Sequence, residues 1–143
     1  MLNPEDVLTA DQIKRLEQAK NSDKTVIIRS RDEVTSAGTR PKKSGILTWK
    51  FRCQNTRDVA WASSKGFVWD AARMNLPSGK HALAQSVYPA ESATNDSWTR
   101  STAYVKGAIE SYSKSLYEYS YPGATNVAGL VGGTGHPACV LCD

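Results

Sequence analysis

The sequence predicts an α+β fold, in which an antiparallel β segment is followed by a helix and further strands. Apolar and polar residues alternate through the middle third of the chain, as in half-buried antiparallel strands. Near both ends the apolar residues instead recur at intervals of three and four, which is typical of amphipathic helices. The 143 residues include 40% apolar and 22% charged residues, a balance that favours a folded chain over a disordered one.

The first predicted element is a short helix over residues 10–19. Thr9 is placed as its N-cap and Gln12 as the N3 residue of a capping box, which marks a helix start. A β-branched run over residues 25–29 predicts a short strand. The polar stretch that continues to Ser44 is interpreted as a long connection, with a weak extra strand near Val34.

Four strands are predicted in the middle third, over residues 47–53, 59–63, 67–69 and 81–88. The alternation is clearest in the first, where one face carries Leu47, Trp49, Phe51 and Cys53. A turn at residues 64–66 is expected to join the second and third strands as a hairpin, and a turn at residues 76–79 precedes the fourth.

A second helix is expected after a loop over residues 89–97. Its apolar stripe consists of Val105, Ala108, Ile109, Tyr112, Leu116 and Tyr119. Pro122 and Gly123 are expected to end this helix. A strand over residues 125–127, a glycine loop over 129–135 and a strand starting near Ala138 complete the predicted elements.

Charge and hydropathy exclude several classes of protein. The net charge of +4 is spread along the chain, so no nucleic-acid face is predicted, and the basic run over residues 40–43 is interpreted as a solvated loop, with a phosphate patch as the alternative. The uncharged stretch 119–141 is broken by proline and glycine, so no membrane span is predicted. Residues 1–6 lack the pattern of a secretion signal, and the compartment is left open.

A zinc site is the first chemical possibility, because His136, Cys139 and Cys142 lie within seven residues. A strand-like stretch between the two cysteines would separate their sulfur atoms, and a fourth ligand is missing nearby. We therefore expect buried structural cysteines, with a metal site as the alternative. Since three cysteines make no even disulfide framework, Cys53 is also expected to be reduced.

Other motifs are weak. The glycines of residues 129–135 match no phosphate-binding pattern. Three carboxylates are expected to be solvated or to cap backbone groups: Asp70, Glu91 and Asp96. Three aromatic residues are expected to pack in the core: Trp49, Trp61 and Tyr112.

Two stretches of the chain carry a family resemblance. The first consists of Thr48-Trp-Lys-Phe, Asn55-Thr-Arg-Asp-Val-Ala-Trp-Ala-Ser-Ser64, Phe67-Val-Trp-Asp-Ala-Ala-Arg73 and Asn75-Leu-Pro-Ser-Gly-Lys80. The second consists of Tyr104-Val-Lys through Tyr121-Pro and Ala124-Thr-Asn-Val-Ala-Gly-Leu-Val-Gly-Gly133. Together, over residues 46–133, they resemble zinc aminopeptidases of peptidase family M1, gluzincins of the membrane alanyl and leucyl type.

The resemblance implies three segments. Residues 1–44 would hold the N-terminal helix, a strand and a polar connection. Residues 45–90 would be the last strands of the family's N-terminal β-domain. Residues 91–143 would be the start of its thermolysin-like catalytic domain.

The resemblance also implies a substrate-binding loop at Gly132, Gly133, Thr134 and Gly135. In the family this loop carries a glutamate that binds the free amino group of a peptide substrate, and Gly135 stands in its place here. The family binds zinc through His-Glu-x-x-His and a distant glutamate, and the 143 residues contain no such motif. The expectation is therefore a fragment of a metallopeptidase that holds no catalytic residue and no cofactor of its own.

Two further expectations accompany this interpretation. A predicted strand at the end of the chain is expected to offer an open sheet edge, which favours self-association. The alternative interpretation, from a different class, is a β-rich module without catalytic activity that binds a partner.

Overall fold

The computed structural model of the chain describes residues 1–36, 45–55, 60–94 and 98–129. These residues confirm the α+β class, since they form one four-stranded mixed sheet with helices on both faces. The helices are α1 (Pro4–Val7), α2 (Ala10–Lys20), α3 (Arg31–Thr35) and α4 (Ser101–Ser115), with a 3-10 turn at Ala90–Ala93. The strands are β1 (Val26–Arg29), β2 (Phe67–Asn75), β3 (His81–Pro89) and β4 (Gly123–Val127).

The strands lie side by side in the order β1, β2, β3, β4. The pairs β1–β2 and β2–β3 are antiparallel, while β3–β4 is parallel and is connected through α4. The β2–β3 hairpin is closed by bonds between Leu76 and Lys80 and by Gly79, whose positive φ of 82° suits a residue without a side chain. Strands from all three predicted segments thus share one sheet, and the division at 44 and 90 stays a prediction.

Alternation along β2 sends successive side chains to opposite faces of the sheet. Ala71 packs with Ile28 of β1 against Leu16 and Ala19 of α2. Met74 lies on the other face, in a cluster with Ala84 and Ala124 against α4. The molecule therefore has three layers, and β2 and β3 are covered on both sides.

The predicted first helix is confirmed. The Thr9 hydroxyl accepts a hydrogen bond from the Gln12 backbone N–H at 3.3 Å, and the Gln12 side chain accepts one from the Thr9 N–H at 3.0 Å. The expected weak strand near Val34 is wrong, because a second capping box between Ser30 and Glu33 starts α3 there. Local side-chain capping thus determines this segment.

The prediction of a strand over residues 47–53 is wrong. Its backbone bonds instead with the N-terminus: the Leu2 N–H donates to the Lys50 carbonyl at 2.8 Å, and the Asn3 side chain bonds with Thr48 and Lys50. No neighbouring strand pairs with it among the described residues. On its predicted apolar face, Leu47 packs against the core, whereas Trp49 and Phe51 are 44% and 41% exposed.

The second predicted strand, residues 59–63, is also wrong where it can be compared, since residues 60–63 have no regular structure and Val59 lies outside the described residues. β2 extends to Asn75, beyond the expected end at Trp69, and its hairpin partner is β3. The predicted strand over residues 81–88 is confirmed.

The second helix is confirmed but ends earlier than expected, at Ser115. Its stripe is only partly buried, because Tyr112 is 64% exposed and Leu116 80% exposed. The covered side instead includes Thr102, Val105, Ile109 and Ser113. The predicted strand over 125–127 is confirmed as part of β4, and the strand near Ala138 lies outside the described residues.

In the described part of the chain, no helix has the length and apolar character needed to cross a membrane.

Candidate functional site

The predicted site residues fall mostly outside the described part of the chain. These are the loop residues Gly132, Gly133, Thr134 and Gly135, and the metal candidates His136, Cys139 and Cys142. Cys53 is disulfide-bonded, so the expectation that it is reduced is wrong. Among the described residues, His, Cys, Asp and Glu form no group of three or more that could hold a metal.

The most unusual polar group that the structure describes is the carboxyl of Asp70, which is 1% exposed. The expectation that it is solvated or caps a backbone group is therefore wrong, whereas Glu91 is exposed as expected. Asp96 lies outside the described residues. A buried carboxyl is costly unless other groups bond to it, so its surroundings define the candidate site.

The groups that surround the Asp70 carboxyl come from three elements. β2 points Asp70 toward α4, because Asp70 shares its face with Val68, Ala72 and Met74. The Thr102 hydroxyl in the first turn of α4 donates a hydrogen bond to one Asp70 oxygen. The Tyr88 hydroxyl, from β3, donates to the other oxygen at 2.7 Å.

Two hydroxyl groups thus donate to Asp70, and among the described residues no cationic side chain contacts its carboxyl. Burial raises the pKa of Asp70, and the hydrogen bonds from Thr102 and Tyr88 oppose that rise by stabilising the carboxylate. Burial, together with the hydrogen bond to Asp70, also raises the pKa of Tyr88. Since Tyr88 stays protonated, it remains a donor to the carboxyl.

A polar row continues across the sheet from Asp70. Ser86 lies opposite Asp70 on one side and opposite Asn126 on the other. The Asn126 amide donates to the Ser101 hydroxyl at 2.7 Å, which brings β4 to the start of α4. The Ser86 Oγ, in a residue that is 0% exposed, is a buried oxygen for which the described residues supply no hydrogen bond.

The Asp70 cluster consists of Asp70, Ser86, Tyr88, Ser101, Thr102 and Asn126. It joins three strands to the first turn of α4 through side-chain hydrogen bonds. Because Asp70, Ser86, Tyr88 and Thr102 are each at most 2% exposed, a substrate would have to displace α4 to reach the carboxyl. The chemistry suited to this arrangement is positioning of α4 on the sheet.

A second polar group binds the N-terminal segment to α4. The Lys106 ammonium donates to the Arg73 carbonyl at 2.7 Å and to Glu110 at 2.6 Å, and it lies 3.6 Å from Asp23. Asp23 also accepts from the side chains of Asn75 and Arg73, which lower its pKa to about 2. These contacts connect the turn after α2 with the end of β2 and with α4.

The opposite face of the sheet has a small cavity of about 70 Å³ between α2 and β3. Trp69, Leu83 and Gln85 form its floor, and Glu17 and Lys20 lie among its lining residues. The Trp69 indole donates to Gln85 at 3.1 Å, so the polar atoms of the floor bond to each other. The volume suits a few water molecules and is far below that of sites for drug-sized ligands.

Sequence reasoning missed the Asp70 cluster, although a signal was present. Period-two alternation along residues 67–75 places Asp70 between Val68 and Ala72 on one face, which is the buried one. The strand was expected to end at Trp69, and the alternation was therefore not followed as far as Asp70. Thr102 and Ser101 carry no comparable signal, since they precede the predicted apolar stripe.

Comparison of the chain with family models, with curated proteins and with solved structures finds no match.

Proposed function

We propose that these residues form the junction between the β-domain and the thermolysin-like catalytic domain of a zinc aminopeptidase of peptidase family M1. The observation that carries the proposal is the resemblance over residues 46–133. Zinc and the general base would be supplied by residues outside this sequence, since the 143 residues contain no His-Glu-x-x-His. The role of this part would be to support a site that removes N-terminal residues from peptides.

The contacts made by the matched residues support the proposal. Asp70, from the stretch Phe67–Arg73, bonds with α4, and Lys106, from Tyr104-Val-Lys, bonds with the Arg73 carbonyl. The backbone N–H of Asn75, which begins another matched stretch, donates to Glu110 at 2.7 Å. The Pro122 carbonyl, at the end of a further matched stretch, accepts from the Leu83 N–H at 2.9 Å. Residues that carry the resemblance are thus those that hold the strands and α4 together.

The path of the chain gives a second argument. β4 runs parallel to β3, and the residues after its carboxyl end lead into the glycine stretch 129–135. Ligands of open α/β sheets bind beyond the carboxyl ends of parallel strands. The order of the sequence therefore puts a stretch proposed to contact the peptide backbone directly after a parallel strand.

Gly135 sets an expected limit on specificity. If this loop lies against the substrate, the missing glutamate removes the carboxylate that would pair with the substrate's N-terminal ammonium. A charge-assisted hydrogen bond of that kind contributes about 1.5–3 kcal/mol. The parent enzyme would therefore prefer a free N-terminus less strongly than its relatives.

A second candidate function is the binding of a protein partner by the segment before β2. Trp49 and Phe51 stack with ring centroids 6.2 Å apart while remaining 44% and 41% exposed. Trp61 is 76% exposed, contrary to the expectation of core packing for Trp49 and Trp61. Exposed aromatic residues in one segment are typical of an interface. In the leading proposal, the same residues would contact the rest of the β-domain.

Sequencing the genomic DNA that follows the codon of Asp143 tests the leading proposal. We expect an open reading frame with His-Glu-x-x-His and a third glutamate ligand, and no such motif in any frame would overturn it. The extended product should hydrolyse alanyl or leucyl arylamides and lose the activity when the motif glutamate is replaced by glutamine. The 143-residue chain should not hydrolyse them with added zinc. Binding of a captured protein that is lost in a Trp49→Ser, Phe51→Ser variant would favour the second candidate.

A further inference from the structure

The outward side of α4 is nearly free of charge. Ten residues between Ala103 and Tyr117 are exposed, and Lys114 is the one charged residue among them. Four of the ten are large and apolar: Tyr104, Tyr112, Leu116 and Tyr117, with exposed fractions of 59%, 64%, 80% and 82%. Helices that face water normally carry charged residues on that side, so a patch of this kind marks an interaction surface.

The patch, which we name the α4 face, has two adjacent rows of residues spaced four apart. One is a ridge of Tyr104, Ala108, Tyr112 and Leu116. The other contains small residues: Ala103, Gly107, Ser111 and Ser115. A side-chain carbon built on Gly107 would have no neighbour within 4 Å, so another helix can approach the backbone closely at that point.

This arrangement is complementary to itself. When helices pack through rows spaced four apart, the ridge of one helix lies in the groove beside the ridge of the other. Tyr104 and Tyr112 flank Ala108 symmetrically, four residues on either side. A two-fold axis near Ala108 would therefore place Tyr104 of each copy beside Tyr112 of the other and would lay each ridge along a row of small residues.

The helix dipoles favour the antiparallel orientation. The charged side chains at the two ends of α4 already have contacts within one copy: Arg100 lies 5.6 Å above the Tyr104 ring, and both oxygens of Glu118 accept hydrogen bonds from Ser78 at 2.7 Å. In an antiparallel pair the two helix dipoles are opposed, which places opposite partial charges side by side.

We propose that the α4 face binds a second copy of this chain as an antiparallel, two-fold symmetric helix pair. An aromatic side chain buries about 150–250 Å² when fully covered, so the observed exposures correspond to about 500 Å² per copy. The total of about 1,000 Å² is at the lower end of specific interfaces, which predicts a weak dimer that depends on concentration. The proposal is independent of the aminopeptidase resemblance, and either can fail alone.

Sedimentation equilibrium of the full chain at several concentrations, in buffer without reductant, tests the proposal. We expect a reversible monomer–dimer equilibrium. Ala108→Glu places two like charges at the two-fold axis, and such a pair costs several kcal/mol, so the dissociation constant should rise more than about 100-fold. Gln18→Glu adds the same charge to the exposed side of α2 and should leave the constant unchanged.

The circular dichroism and thermal midpoint of every variant show whether it remains folded. A chain that stays monomeric at all concentrations, or a dimer that Ala108→Glu does not weaken, overturns the proposal.

Discussion

The hydrogen bond from Thr102 to Asp70 gives the sharpest stability prediction. Thr102→Val keeps the shape of a side chain that is 0% exposed and replaces its hydroxyl group with a methyl group. Asp70 then retains Tyr88 as its donor. Loss of a hydrogen bond to a buried charged group costs about 1.5–3 kcal/mol, so the free energy of unfolding should fall by that amount at pH 8.

The loss of stability caused by Thr102→Val should depend on pH. Burial raises the pKa of Asp70 in the folded chain above the value of about 3.9 for an unfolded aspartate. The contribution of this group to stability is therefore full below about pH 4 and is lost as the pH rises through the folded-state pKa. The Thr102 hydrogen bond counteracts that loss, and without it the pKa of Asp70 rises further.

At pH 3 the carboxyl is protonated, and Thr102→Val should cost only about 0.5–1.5 kcal/mol, as for a bond between neutral groups. Urea unfolding followed by tryptophan fluorescence at pH 3 and pH 8 measures both values. Thr102→Ser, which keeps the hydroxyl, is the matched control and should recover most of the loss at pH 8. Equal costs at both pH values would refute the account of Asp70 given above.

Four other variants test separate features by urea unfolding. Asp70→Asn cannot ionise, so its stability relative to the natural chain should increase as the pH rises above about 4, and parallel pH profiles would contradict the raised pKa. Glu33→Gln should cost about 1 kcal/mol at pH 7, because Arg15 donates to both Glu33 oxygens at 2.7 Å in a partly exposed pair. That cost should vanish as the pH falls from about 4 toward the Glu33 pKa of about 2, and a cost that persists at pH 2 would contradict the ion pair. Met74→Ala should lower the free energy of unfolding by about 2–5 kcal/mol, because Met74 is 0% exposed. Trp61→Ser should change it by less than about 0.5 kcal/mol, because Trp61 is 76% exposed, and a large loss would show that Trp61 is covered.

Local signals in the sequence predicted their elements well. The capping box at Thr9 and Gln12 depends on neighbouring residues alone, and the structure confirms it. The alternation over residues 81–88 was also sufficient to predict β3, because this strand has neighbouring strands on both sides and helices on both faces. In both cases the local pattern and the tertiary environment agree.

The alternation from Leu47 to Cys53 was just as clear, but the strand that it predicted is wrong. A strand also needs a neighbouring strand to pair with, and the alternation of apolar and polar residues does not show whether one is present. The Asn3 side chain and the Leu2 N–H bond with this backbone instead, a contact across more than 40 residues that no local pattern indicates. The prediction that the apolar stripe of α4 is its buried side was only partly correct, for a related reason. The stripe identifies which residues are apolar, whereas the hydrogen bond from Thr102 to Asp70 fixes which side of the helix faces the sheet.

The order of the strands has a consequence for the folding pathway. Among the four strands that the structure describes, only β2 and β3 are close in sequence, joined across the turn Leu76–Lys80. Adding β1 requires closing residues 30–66 into a loop, and adding β4 requires closing residues 90–122, including α4. Loop closure costs entropy before distant contacts form, so we expect the hairpin to form first and both outer strands to join it later. The central pair would then serve as the template on which both ends of the chain assemble.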